Sequence, residues 1–137
     1  MAPVLLIPHR PPWLLLDSVE VDGGVARGRT AVTAGDPRCA LGLLPSTLVL
    51  EALAQAAAAV LGARRAAAGQ RAQDHTGYLV EMRDVRLEGA AAAGTPLELT
   101  ATHERSLGHL HRFRVQARQA GGLVVEGQMT FAVEVTG

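Results

Sequence analysis

Leu44-Pro-Ser-Thr-Leu-Val-Leu-Glu-Ala-Leu-Ala-Gln-Ala-Ala-Ala-Ala-Val-Leu61 reads as the body of one long helix. Ser46 or Thr47 is the expected N-cap, and Arg64 and Arg65 suit the last turn before Gly69. Small and aliphatic residues occupy nearly the whole circumference, so other elements must wrap this helix. Glu51 interrupts the apolar run without a lysine or arginine beside it. A carboxylate expected among apolar neighbours is costly unless something compensates it. Gln55, four residues on, shares its helical face. Together they mark a candidate small-molecule site, set against the plainer reading of a solvated helix edge.

The 137 residues suffice for one domain with a core, expected to span residues 1–137. Thirteen basic and thirteen acidic residues cancel, leaving no basic field for nucleic acid or an anionic membrane. The single cysteine, Cys39, excludes an internal disulfide and fits a reducing, cytoplasmic setting. No secretion signal is recognisable, and Glu51 and Gln55 break the longest apolar run, which argues against a membrane span. Aromatics are too scarce for base-stacking platforms.

Outside the helix the chain reads as strands: Leu14 to Val21, Val25 to Val32, Tyr78 to Leu87, Leu97 to His103, His111 to Arg118 and Leu123 to Val135. Turns are expected at Asp22-Gly-Gly24, Gly94-Thr95, Leu107-Gly108 and Gly121-Gly122. Thr33 to Leu44 is expected to be irregular. The order predicts an α+β fold in which a six-stranded antiparallel sheet curls around a long central helix. Such a sheet has two edges, and pairing with a second chain would remove them.

Two segments carry a family resemblance. Leu6-Ile-Pro-His-Arg-Pro-Pro-Trp-Leu-Leu-Leu-Asp17 is similar to the opening LPHRxPxLLxD of the 3-hydroxyacyl-acyl-carrier-protein dehydratases, and Leu44 to Gln55 to their MPGxLxxEAxAQ. Gly94-Thr-Pro-Leu-Glu-Leu resembles their PGDxLxLE turn, and Leu123 to Val133 their last strand. The resemblance implies the hotdog fold, no metal, no organic cofactor, and a site shared by two protomers. It implies loss of water from a 3-hydroxyacyl thioester on acyl carrier protein, in fatty acid, polyketide or polyene biosynthesis. Glu51 falls on the catalytic acid and Gln55 on its accompanying glutamine. The backbone around Pro45, Ser46, Thr47 and Leu48 falls where the enolate oxygen would be held.

The loop ahead of the helix departs from the family. The positions of its two histidines are occupied here by Pro37 and Leu41, and Ser46 replaces the glycine of MPG. Nothing between His9 and His75 is histidine. The resemblance is therefore to a degenerate member that pairs with a histidine-bearing sister subunit. A homodimeric hotdog thioesterase using Glu51 and a non-catalytic stabilising subunit are the rival readings. His9 is a conceivable substitute base and Cys39 a conceivable nucleophile, each with a plainer structural role. His103, His109 and His111 are expected at the surface, short of a zinc ligand set. Arg112, Arg114 and Arg118 share one strand face, solvated or receiving an acidic carrier protein.

Overall fold

The computed structural model describes residues 15–69 and 75–135. Its elements are β1 (Ser18–Asp22), β2 (Val25–Thr30), β3 (Leu43–Leu44), α1 (Ser46–Ala67), β4 (His75–Leu87), β5 (Ala91–Ala92), β6 (Leu97–Leu107), β7 (Leu110–Gln119) and β8 (Gly122–Val135). Six strands form an antiparallel sheet in the order β1-β2-β6-β7-β8-β4, as the strand pattern predicts. β3 and β5 form a separate two-stranded ladder within stretches the sequence leaves irregular. Its two residue pairs add little periodic signal, so it becomes visible only as a spatial contact.

The sheet closes over α1 because its inward residues alternate as a half-buried sheet requires. Leu97, Leu99 and Ala101 of β6 and Phe113, Val115 and Ala117 of β7 are buried, while Glu98, Arg114 and Arg118 point outward. Against them α1 presents Leu53, Ala56, Ala57, Ala59 and Val60, each 0% exposed. Alanine at these positions lets strand and helix axes approach, and the larger leucine, valine and phenylalanine side chains each contribute about 1.5–3 kcal/mol by burial. The helix has the length and apolarity to cross a membrane, yet it is the wrapped core element of this sheet.

Several boundaries move for identifiable reasons. The first strand begins at Ser18, not Leu14; Leu14 itself lies outside the described residues. The Leu15 backbone is drawn out of the ladder: its N–H donates to Gln55 Oε1 at 2.8 Å, and its carbonyl accepts from Thr30 Oγ1 at 2.9 Å. Gly28 keeps this approach open, since a Cβ there would stand 3.1 Å from Leu16 Cδ2. The last hairpin turns on Ala120 and Gly121, with φ of 51° and 78°, and not on Gly121-Gly122. Two successive positive φ values match the twist of the flanking strands, so Gly122 is released to begin β8.

Candidate active site

The first turn of α1 starts differently from expectation. Pro45 is the N-cap, and neither Ser46 nor Thr47 makes a side-chain cap. Proline suits a position whose N–H has no helical use, and its carbonyl accepts from Leu48 at 3.0 Å and Val49 at 3.3 Å. The N–H groups of Ser46 and Thr47 precede the first helical bond, and both residues are exposed. They stand at the positive end of the 22-residue helix, where an oxyanion is favoured.

One turn further on, Glu51 is exposed in the single chain. This corrects the expectation of a helix buried on every side and agrees with the reading of a solvated helix edge: α1 has one open edge. Thr47, Leu50, Glu51 and Ala54 share that edge with Leu79 and Met82 of β4, enclosing an open groove of about 160 Å³. Glu51 is thus a carboxylate set among apolar side chains on the wall of a groove. Its neighbour Gln55 is 0% exposed. Because Gln55 Oε1 accepts from Leu15, its Nε2 is turned toward Glu51, 3.5 Å from Oε1. Gln55 therefore ties the chain entering β1 to the helix while directing an amide N–H at the carboxylate.

The loop that lacks the family histidines is held by another device. Buried Asp36 accepts from Arg38 through its backbone N–H at 2.9 Å, Nε at 3.0 Å and Nη2 at 2.7 Å. These side-chain and backbone hydrogen bonds, with the guanidinium charge, lower its pKa to about 2. Pro37 is exposed, and Leu41 is fully exposed with φ of 53°. A leucine in the left-handed region costs roughly 1–2 kcal/mol, so this loop presents a strained apolar residue where the family resemblance places a histidine. Cys39 packs half-buried against the core. His9 lies outside the described residues.

The sequence missed two features. Leu79 and Met82 line the Glu51 groove, although β4 reads only as a strand. His103 and His111, expected as surface residues, are half-buried and gathered with Ser106 at the far end of the molecule. The arginine row also divides. Arg114 pairs with Glu104 at 3.4 Å, Arg118 reaches Gln116 and the Gly121 carbonyl, and the Nε of Arg112 is buried without a hydrogen-bond partner. Among the described residues no group of three His, Cys, Asp or Glu side chains could hold a metal.

Comparison with known proteins finds relatives of the chain as a whole. The family model for ApeP-like proteins, described as ApeP dehydratase, matches residues 1–134. The 3-hydroxyacyl-[acyl-carrier-protein] dehydratase FabZ of Agrobacterium fabrum is 30% identical over 131 residues, covering 90% of this chain and 82% of the relative. The FabZ of Polynucleobacter necessarius is 31% identical over 140 residues, covering 96% and 90%. The dehydratase heterocomplex ApeI:P from Xenorhabdus doucetiae contains a chain that shares the fold, with a TM-score of 0.84, 22% identity and coverage of 96% and 90%. The hotdog dehydratase resemblance carried by the two motifs is thereby borne out.

Proposed function

The chain belongs to the ApeP-like dehydratase family, and from that premise we propose that Glu51 is the acid of a composite hotdog site completed by a histidine-bearing partner subunit. The substrate is a 3-hydroxyacyl thioester carried on the phosphopantetheine of an acyl carrier protein. The partner's imidazole removes the proton next to the thioester carbonyl. Electrons move to the carbonyl oxygen, which the N–H groups of Ser46 to Leu48 hold as an enolate. Collapse of the enolate expels the 3-hydroxyl as Glu51 protonates it, giving water and the 2-enoyl thioester. Gln55 orients the Glu51 carboxyl through its Nε2. The setting for this chemistry is the cytoplasm.

The observation that carries this reading is the position of Glu51 in an apolar groove open along β4, the outer strand of the sheet. Tyr78, Leu79, Val80, Met82 and Leu87 of that strand are 39–58% exposed. A second hotdog subunit laid along β4 would cover them and close the groove over Glu51. The FabZ relatives and the ApeI:P heterocomplex support a hotdog partner. Reconstitution with a hotdog subunit that carries the loop histidine tests the proposal. Glu51→Gln is expected to reduce enoyl-thioester formation by about 10²–10⁴-fold while leaving the pair intact. Undiminished turnover by that variant would make the chain a stabilising scaffold. Release of free acid from an acyl thioester by the chain alone would make it a thioesterase.

A further inference from the structure

A second cluster of chemically capable side chains lies at the other end of α1. Arg64 stands thirteen residues beyond Glu51, about 20 Å along the helix axis at 1.5 Å per residue. There the β6–β7 hairpin folds over the last turn of α1. His103 Nε2 and His111 Nδ1 are 3.2 Å apart, and Ser106 Oγ lies 2.9 Å from the first and 3.0 Å from the second. His103 is fixed from beneath by edge contact with Phe113, whose ring meets Phe131 in the same way. A Cβ added at Gly24 would stand 3.7 Å from Arg64 Nη2 and 3.4 Å from His103 Cβ, so the guanidinium and the imidazole flank that glycine.

The charges around this cluster are one-sided. Burial and the Arg64 charge push the His103 pKa down. Burial, His103, Arg64, Arg65 and His109 do the same to His111. Arg65 is half-buried, and burial lowers its pKa. Among the described residues neither Arg64 nor Arg65 forms an ion pair. Among the described residues the paired imidazoles of His103 and His111 thus lie near two guanidiniums that no carboxylate engages, offset in part by the negative end of α1. A metal cation is disfavoured by that field. A group offering several acceptor oxygens and negative charge suits two guanidiniums, a hydroxyl and imidazole N–H donors.

We propose that Arg64, Arg65, His103, Ser106 and His111 form a binding site for a phosphate group, separate from the Glu51 groove. The arginines supply the charge-assisted contacts, and the hairpin supplies the hydroxyl and imidazole donors. Binding takes up protons: a proton added to His111 Nδ1 can be donated to Ser106 Oγ, 3.0 Å away, and the added positive charge favours a bound oxyanion. Affinity therefore rises as pH falls through the imidazole range.

Imidazole ¹H–¹⁵N correlations of the full chain, in complex with its hotdog partner if the two co-purify, provide the readout. Titration with inorganic phosphate is expected to shift the His103 and His111 signals saturably. Tighter binding of 4′-phosphopantetheine would identify the carrier arm as the source, and equal binding a free phosphorylated compound. Sulfate, whose charge is constant between pH 5.5 and 7.5, should bind more tightly at the lower pH. Combined Arg64→Gln and Arg65→Gln should weaken binding by about tenfold or more, the effect of losing at least one charge-assisted hydrogen bond. Ser106→Ala, at an exposed position, gives a second variant should the double substitution fail to fold; it too should weaken binding. No saturable shift with either phosphate probe, or unchanged affinity in the folded variants, would overturn the site.

Discussion

β7 and β4 belong to one sheet, yet their surroundings are opposite. β7 is hydrogen-bonded to β6 on one side and β8 on the other, and Phe113, Val115 and Ala117 are sealed against α1. Among the described residues β4 pairs only with β8, and nearly all its side chains are exposed. Both contain apolar residues suited to a strand. The difference lies in what covers them. β7 is complete within the chain, whereas β4 presents an apolar edge beside the groove that holds Glu51. Stability is concentrated in the first region and the proposed chemistry in the second.

Substitutions can break this division. Glu51→Gln should produce the largest functional change, the loss of about 10²–10⁴-fold in enoyl formation by the reconstituted pair. Its denaturation midpoint should match wild type, because Glu51 is exposed in the chain. Phe113→Ala tests the complete region and should cost about 3–5 kcal/mol in urea unfolding, since Phe113 is 0% exposed. If Phe113→Ala left stability unchanged, or Glu51→Gln lowered it severely, the two regions would not be distinct.

A smaller effect is expected at the edge itself. Leu79→Ser with Met82→Ser should alter chain stability by no more than about 1 kcal/mol, both residues being substantially exposed. The same pair should shift the assembly toward monomer in sedimentation or native mass measurements. An undiminished dimer would place the subunit contact away from β4. The smallest expected effect concerns the loop ahead of the helix. Asp36 titrates at about 2 in the folded chain against an ordinary 3.8. Its ionised form is favoured on folding, so the contribution is present above about pH 4 and fades as pH falls toward 2. Asp36→Asn should remove that part of the acid dependence at a cost of up to about 1 kcal/mol near neutrality, as for a partly exposed pair. An unchanged acid-unfolding profile would show that the loop does not depend on Arg38.

Much of the site was legible because it is local. Glu51 and Gln55 are four residues apart on a helix whose apolar run is plain, so their shared face follows from helical geometry. The exposed edge was legible only as one of two readings. Alanine and leucine around Glu51 read as burial, and nothing in their order says that β4 ends on that side with half its neighbours missing. The N-cap was misread because Ser46 and Thr47 are good capping residues, while Pro45 already supplied the fixed φ and the carbonyl. The histidines of β6 and β7 were read singly. Their meeting depends on the hairpin register, in which Ser106 faces His111 and a shift after His103 carries that ring toward the same point.

The order of residues alone determined a long small-residue helix, a strand-rich remainder, a carboxylate within an apolar run and a loop without histidine, since each depends on neighbours within a few positions. Tertiary structure decided which helix edge stays open, which strands stand at the two edges of the described sheet, and which imidazoles lie near Arg64. These depend on strand register and sheet order, which bring together residues far apart in the chain.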